Sequence, residues 1–198
     1  MKHAYVRLIS NLLWILENIL YVPKLKRALG TINSDKRIKL IFDIGANRGQ
    51  SLNLFTGIYP EATFHCFEPL PAVFRKLRNS RNATGNILIN SAVGMENCSL
   101  VLHMSVMDET STFILPNNNS KYNRLKMLVL GTSSINMYKP INVNVVTLDS
   151  YCDSNFIEEI FLLKIDTEGY ELEVLQGSRK LLAQSKYKTF YLKDTKTT

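Results

Sequence analysis

The sequence holds little of what stabilises very small proteins or binds metals: three cysteines, three histidines and one tryptophan in 198 residues. Cys66, Cys98 and Cys152 are odd in number, lie far apart and form no Cys-x-x-Cys pair, which excludes a disulfide framework. Such usage suits a reducing cytoplasm, where the Asn-x-Ser/Thr triplets at Asn82, Asn97 and Asn118 would carry no glycan. His3, His65 and His103 are scattered, and no three His, Asp or Glu residues fall at metal-ligand spacing, so no obligatory metal is expected. Glycine and proline number only 9 and 6, too few for a collagen-like or low-complexity chain. Lys and Arg exceed Asp and Glu by 24 to 17, a net charge of +7, yet no run reaches the length of a basic binding tail. The charge balance admits an anionic partner, while its scatter argues against nucleic acid.

A long hydrophobic run is also lacking. Nine of the thirteen residues from Leu8 to Leu20 are large and apolar, but the longest unbroken stretch is five, where a membrane span needs about 20. No small-residue cleavage site follows, so a signal peptide is not expected. Val6, Ile9, Leu13, Leu16 and Leu20 recur at helical spacing. Residues 1–37 therefore read as an amphipathic helix and a linker. Two placements stay open for the helix: packed on the domain or a second subunit, or lying on a membrane surface with Lys24, Lys26 and Arg27.

What is present beyond residue 38 is an alternation of short apolar runs and amphipathic stretches. Strands are predicted over 39–44, 62–67, 86–93, 143–148, 159–165 and 188–192. Helices are predicted over 50–58, 72–82 and 170–182, and 99–105 alternates like an antiparallel strand. Residues 107–140 read as an insertion, either a lid or a poorly ordered loop. The pattern is that of an α/β domain with a mostly parallel sheet.

The first strand ends in IFDIGANRGQ, a strand running into a glycine-bearing turn and then a helix. That arrangement sits where parallel sheets bind ligands. The dinucleotide fingerprint would need glycine at 47 and 50, where Asn47 and Gln50 stand, and no Gly-Lys-Ser/Thr follows for a P-loop. Instead Asp43 closes the strand ahead of Gly45 and Gly49. An acidic residue there repels a pyrophosphate and suits a ligand with a positive amino group, such as the methionyl part of S-adenosylmethionine. Glu68 closes the next strand, where a carboxylate can accept both hydroxyls of a ribose.

DIGANRG (43–49), FEP (67–69), SAVG (91–94), TLD (147–149) and KIDTEGYELEVLQG (164–177) occur in the order of the FkbM-type methyltransferase family, which the chain resembles over about 38–192. The resemblance implies a Rossmann-like, S-adenosylmethionine-dependent methyltransferase fold. It also implies O-methylation of a hydroxyl on a sugar, glycan or other small-molecule acceptor. By that similarity Asp43, Gly45 and Gly49, with Asn47 in the same turn, would line the methionine side of the cofactor. Glu68 would hold the ribose, Ser91 and Ala92 would border the adenine, and Asp166 would edge the transfer site.

Lys164, Asp166, Glu168 and Glu171 crowd the last of these motifs. A carboxylate there could take the proton of an acceptor hydroxyl, with Asp166 the first candidate and Glu168 the second. Capping of the following helix is the structural alternative for both. Lys164 reads as a charge partner rather than a base. Met104, Met107, Phe113 and Tyr138 would either wall an acceptor pocket or simply cover the sheet edge.

Methyltransferases of this fold carry seven strands, the last two forming a hairpin. With 188–192 as the fifth core strand, only KDTKTT remains, and Lys193 stands where relatives tend to place an acidic residue. The expectation is a chain without that hairpin. The function classes left open are a working O-methyltransferase, a cofactor-binding remnant without turnover and, more remotely, a nicotinamide-dependent dehydrogenase. A homo-oligomer is compatible with each.

Overall fold

A computed structural model of the chain describes residues 40–105, 111–113 and 138–192, together with single positions 23 and 27. The N-terminal helix, most of the 107–140 insertion and the terminal KDTKTT lie outside the described residues.

Five strands form a parallel sheet: β1 (Leu40–Ile44), β2 (Thr63–Phe67), β3 (Ile87–Ile89), β8 (Ile160–Ile165) and β9 (Tyr187–Leu192). Their order is β3-β2-β1-β8-β9, with β1 central and β3 and β9 at the edges. The architecture is the expected α/β, Rossmann-like one. Successive residues of β1 leave opposite faces of the sheet, as the pleat requires. Ile41 joins Leu52, Phe55, Phe64 and Leu77 on one side, where helices α1 (Gln50–Thr56) and α2 (Pro71–Arg78) lie. Phe42 and Ile44 join Leu148, Cys152, Leu163, Val174 and Leu181 on the other, under helices α3 (Leu148–Ser154), α4 (Glu171–Gln176) and α5 (Arg179–Ala183). Each large side chain so buried contributes about 1.5–3 kcal/mol over its exposed state.

The helices start where local chemistry starts them. Pro71 opens α2 at a position whose N–H has no intrahelical partner, and Arg75, Lys76 and Arg78 sit at the end where the helix dipole favours cations. Thr147 caps α3, its hydroxyl accepting from Ser150 N at 3.0 Å. The α3 helix occupies the end of the 143–148 strand prediction and the residues beyond it. The Thr-x-x-Ser cap was the signal that could have found it.

A second sheet, ordered β4-β7-β5-β6, holds β4 (Ala92–Val93), β5 (Cys98–Ser105), β6 (Ser111–Thr112) and β7 (Tyr138–Val146). Strand β5 runs antiparallel to β7 and alternates as predicted, with Leu102 buried and Val101 exposed. Leu102, Val143 and Val145 pack on Leu70 and Val73 beside α2. Two predicted elements are divided. The strand read over 86–93 breaks at Asn90, whose amide donates to the carbonyls of Glu68 and Pro69 at 2.8 and 3.0 Å, so its halves enter different sheets. The helix read over 170–182 breaks at Gly177, and Asp149 recaps its second half, accepting from Lys180 N at 2.9 Å and Leu181 N at 3.0 Å. Strand β7 begins at Tyr138, inside the stretch read as insertion, and β6 lies within that stretch too.

Gly177 explains the second break. A methyl group there would land on the carbonyl oxygen of Gly94, in the turn after β4. The Gly177→Ala substitution is therefore expected to cost about 3 kcal/mol or more in urea unfolding, because only backbone can yield. Gly85→Ala, at φ +84 but facing open space, should lose only about 1 kcal/mol. Equal losses would remove the steric account.

Candidate active site

The register of the parallel sheet sets one row of side chains across it: Cys66 on β2, Asp43 on β1, Lys164 on β8 and Tyr191 on β9 are successive partners. Asp43 and Lys164 thus leave the same face of neighbouring strands. Their ion pair is 2.8 Å long, with both side chains almost wholly buried. Lys164 Nζ also donates to the carbonyl of Gly45 at 3.0 Å and lies 3.6 Å from Asp166 Oδ2. Burial pushes the Asp43 carboxyl above its ordinary range, against the downward pull of the Lys164 ammonium. Lys164 is the charge partner its place in the motif implied.

The first turn is closed by its own hydrogen bonds. Gly45 N and Ala46 N both donate to Phe67 O, at 3.0 and 2.9 Å, and Gly49 N donates to Ala46 O at 2.9 Å. Asn47 N donates to Glu68 Oε2 at 3.0 Å, and Arg48 N to Gln50 Oε1 at 3.1 Å. The five amides from 45 to 49 are all engaged within the chain. A phosphate-binding turn aims such amides at its ligand, so the closed turn agrees with the missing glycines of the dinucleotide fingerprint. Gly45 has φ +77, and a side chain on it would strike the carbonyl of Asp166, which brings the ends of β1 and β8 into backbone contact. Gly49 faces Leu77 and Ser80 at the end of α2.

Glu68 is a strut between two loops. One oxygen accepts from Asn47 N, the other from Leu70 N at 2.9 Å, and the residue is 5% exposed. Burial pushes its carboxyl up to about 7, although both amides and Lys164 pull the other way. His65, on the opposite face of β2, stacks on Phe42 with ring centroids 5.0 Å apart and meets the Tyr151 hydroxyl at 2.9 Å. Its burial lowers the imidazole to about 4, so it is a neutral core residue.

Asp166 follows β8 directly, its N–H donating to Ile44 O at 3.1 Å. At 17% side-chain exposure it reaches the surface that Asp43 does not. Glu168 is exposed and takes φ +55. Glu171 Oε1 holds the 167–169 turn, accepting from Thr167 N at 3.0 Å and Gly169 N at 3.2 Å. Above this turn lies β6, where the Thr112 hydroxyl donates to Glu168 O at 3.1 Å and the Phe113 ring sits 4.4 Å from that of Tyr170. Phe113 and Met104 also border the apolar layer beneath the second sheet; Tyr138 is half-buried at the start of β7, and Met107 lies outside the described residues. Ser91 is half-buried at the break between β3 and β4, whereas the Ala92 methyl belongs to the core.

The structure therefore brings Asp43, Glu68, Asp166 and Lys164 together at the carboxyl edge of β1, β2 and β8. The Lys164 ammonium lies between Asp43 and Asp166, with Glu68 at the end of the next strand, an acidic excess that fits a cationic ligand such as a sulfonium. Among the described residues no group of three or more His, Cys, Asp or Glu side chains could hold a metal ion, and no helix is long and apolar enough to cross a membrane.

Residues 43–197 match the model of the methyltransferase FkbM domain. The 2-O-methyltransferase NoeI of Sinorhizobium fredii (strain NBRC 101917 / NGR234) is 25% identical over 162 residues, covering 77% of this chain and 63% of that protein. Methyltransferase 1 of Beauveria bassiana (strain ARSEF 2860) is 29% identical over 153 residues, covering 69% of this chain and 57% of its own. The chain thus spans about three-fifths of the length of these relatives.

Removing one member of the central pair leaves a buried charge alone, so Lys164→Met should cost about 3–5 kcal/mol. The double variant Asp43→Leu/Lys164→Met should recover at least half of that loss in the same urea titration. Glu68 gives a second test. The folded chain keeps this proton to about pH 7, against an ordinary value of 4.5. It therefore binds one more proton than the unfolded chain between those values, and stability falls as pH rises through the window. Relative to Glu68→Gln, the parent should lose on the order of 3 kcal/mol from pH 4.5 to 7. A pH-independent difference would show that the carboxyl titrates normally.

Proposed function

The chain belongs to the FkbM methyltransferase family, and from that premise we propose that it moves the methyl group of S-adenosylmethionine to a hydroxyl of a sugar, glycan or other small-molecule acceptor. The observation that carries the cofactor reading is the buried acidic cluster beside a first turn whose amides are all engaged. Such a site favours positive charge and spends the amides of its turn within the chain rather than on a pyrophosphate. The name of the Sinorhizobium relative, a 2-O-methyltransferase, supports oxygen as the acceptor atom.

When bound, the sulfonium cofactor supplies an electrophilic methyl carbon and a good leaving group. The chain supplies placement and charge. Asp166, the more exposed carboxylate of the cluster, is the residue we assign to the cofactor's edge and to the acceptor proton. Glu168, exposed on the same turn, is the second candidate for that proton. Asp43 acts from beneath: sealed from solvent, it fixes Lys164, which in turn holds the Gly45 carbonyl. Glu68 keeps the first turn and the β2–α2 connection at a fixed separation and has lone pairs left for ribose hydroxyls. Ser91, at the open break between strands, remains the candidate for the adenine border, with Ala92 contributing backbone only. Alignment of the reacting atoms is the main source of rate in an in-line displacement, and these struts provide it.

Calorimetric titration tests the reading. S-adenosylmethionine and S-adenosylhomocysteine should bind the parent, and Glu68→Ala should abolish binding, while NAD should give no heat. No binding at millimolar S-adenosylmethionine, or binding of NAD instead, would sink it. Methyl transfer from labelled cofactor to a panel of glycans separates an active enzyme from a remnant that binds without turnover.

A further inference from the structure

We infer that Glu171 is a positioning residue, which sets cofactor affinity by holding the turn on which Asp166 is mounted; the inference rests on the methyltransferase reading above. Asp166 is fixed on its N-terminal side by the sheet, through its N–H to Ile44 O and its carbonyl against Gly45. On its C-terminal side the chain enters two consecutive left-handed residues, Glu168 at φ +55 and Gly169 at φ +99. For Glu168 that conformation is unfavourable, and it persists only where neighbours over-determine it. Glu171 is the neighbour that does so from within the motif. One oxygen, Oε1, accepts from Thr167 N and Gly169 N and so brackets the strained residue on both sides. Thr112 completes the hold by donating to the carbonyl of Glu168 itself.

Because both amides converge on one oxygen, geometry and charge can be separated by substitution. A glutamine at 171 presents the same carbonyl oxygen to both amides and loses only the negative charge. An alanine loses both bonds. If Glu171 acts through the turn, Glu171→Ala weakens S-adenosylmethionine binding and Glu171→Gln does not. Should it act as an anion attracting the cationic cofactor, the two substitutions weaken binding alike. Action through Asp166 further requires that the alanine effect disappear once Asp166 is replaced.

The experiment is a calorimetric double-mutant cycle on the full chain with S-adenosylmethionine as the probe. It is paired with amide hydrogen exchange at Thr167 and Gly169. We expect Glu171→Ala to raise Kd at least tenfold, Glu171→Gln to stay within threefold, and Glu171→Ala to change Kd less than threefold in an Asp166→Asn background. Protection of both amides should be lost in Glu171→Ala and kept in Glu171→Gln. Unchanged affinity in Glu171→Ala, equal weakening by glutamine, or a full effect without Asp166 would each overturn the assignment. Failure of the parent to bind the cofactor at all would overturn the functional reading on which it rests, whereas the exchange data decide independently whether Glu171 holds the turn. If the alanine variant does not fold, loss of amide protection or a tenfold weakening in Glu171→Gln is enough to reject the inference.

Discussion

The contact between Lys164 and Asp43 is the one on which the candidate site depends. Two charges with almost no solvent access are costly to bury, and an apolar pair of similar volume would serve stability as well or better. What the ion pair adds is direction. Lys164 has three donors, and its ammonium engages Asp43, the carbonyl of Gly45 and the neighbourhood of Asp166 at once. It thereby ties the end of β1, the turn after it and the end of β8 into one unit. The remaining carboxylates take their places around that unit, with Glu68 bridging outward to the β2–α2 connection.

The motifs that announce the family divide into two sets with different physical duties. The segments at 43–49, 67–69 and 164–169 build the acidic edge. The segments at 91–94, 147–149 and 175–177 build the frame beside it. Asp149, a carboxylate easily mistaken for a reactive one, spends both oxygens on amides in the first turn of α5. Gly94 and Gly177 are there to let two backbones touch. Glu171 belongs to neither set cleanly, since it stands on a helix and acts on the turn before it.

Much of this was legible in the sequence, because hydrophobic period and turn chemistry agree over most of the chain. The buried runs of β1, β2 and β8 and the alternation of β5 could not be read as anything else. The boundaries that went astray were set by long-range hydrogen bonds. Asn90 ends β3 through carbonyls twenty-odd residues upstream, and Asp149 restarts a helix thirty residues downstream. In the site, the pairing of Asp43 with Lys164 could not be read before the strand order was known. That β8 lies next to β1 is a fact of topology, not of spacing. The sealing of Asp43 was equally out of reach, since a carboxylate at a strand end reads as ligand-facing. Glu171 escaped because its duty is local: an acidic residue in a first helical turn looks like a partner for the helix dipole.

The touching glycines carry a consequence for how the two sheets behave as bodies. Side-chain interfaces have slack, because rotamers can shift to absorb a small displacement. A backbone carbonyl resting where a methyl group would have to be has none. The four-stranded sheet is therefore registered to the α4–α5 junction, and so to the helical layer packed on the five-stranded sheet, by a rigid seam. Any drift of the outer sheet would be felt at that junction, while the exposed residues of β5 and β7 remain at liberty to change. In this chain the joint is kept by leaving atoms out.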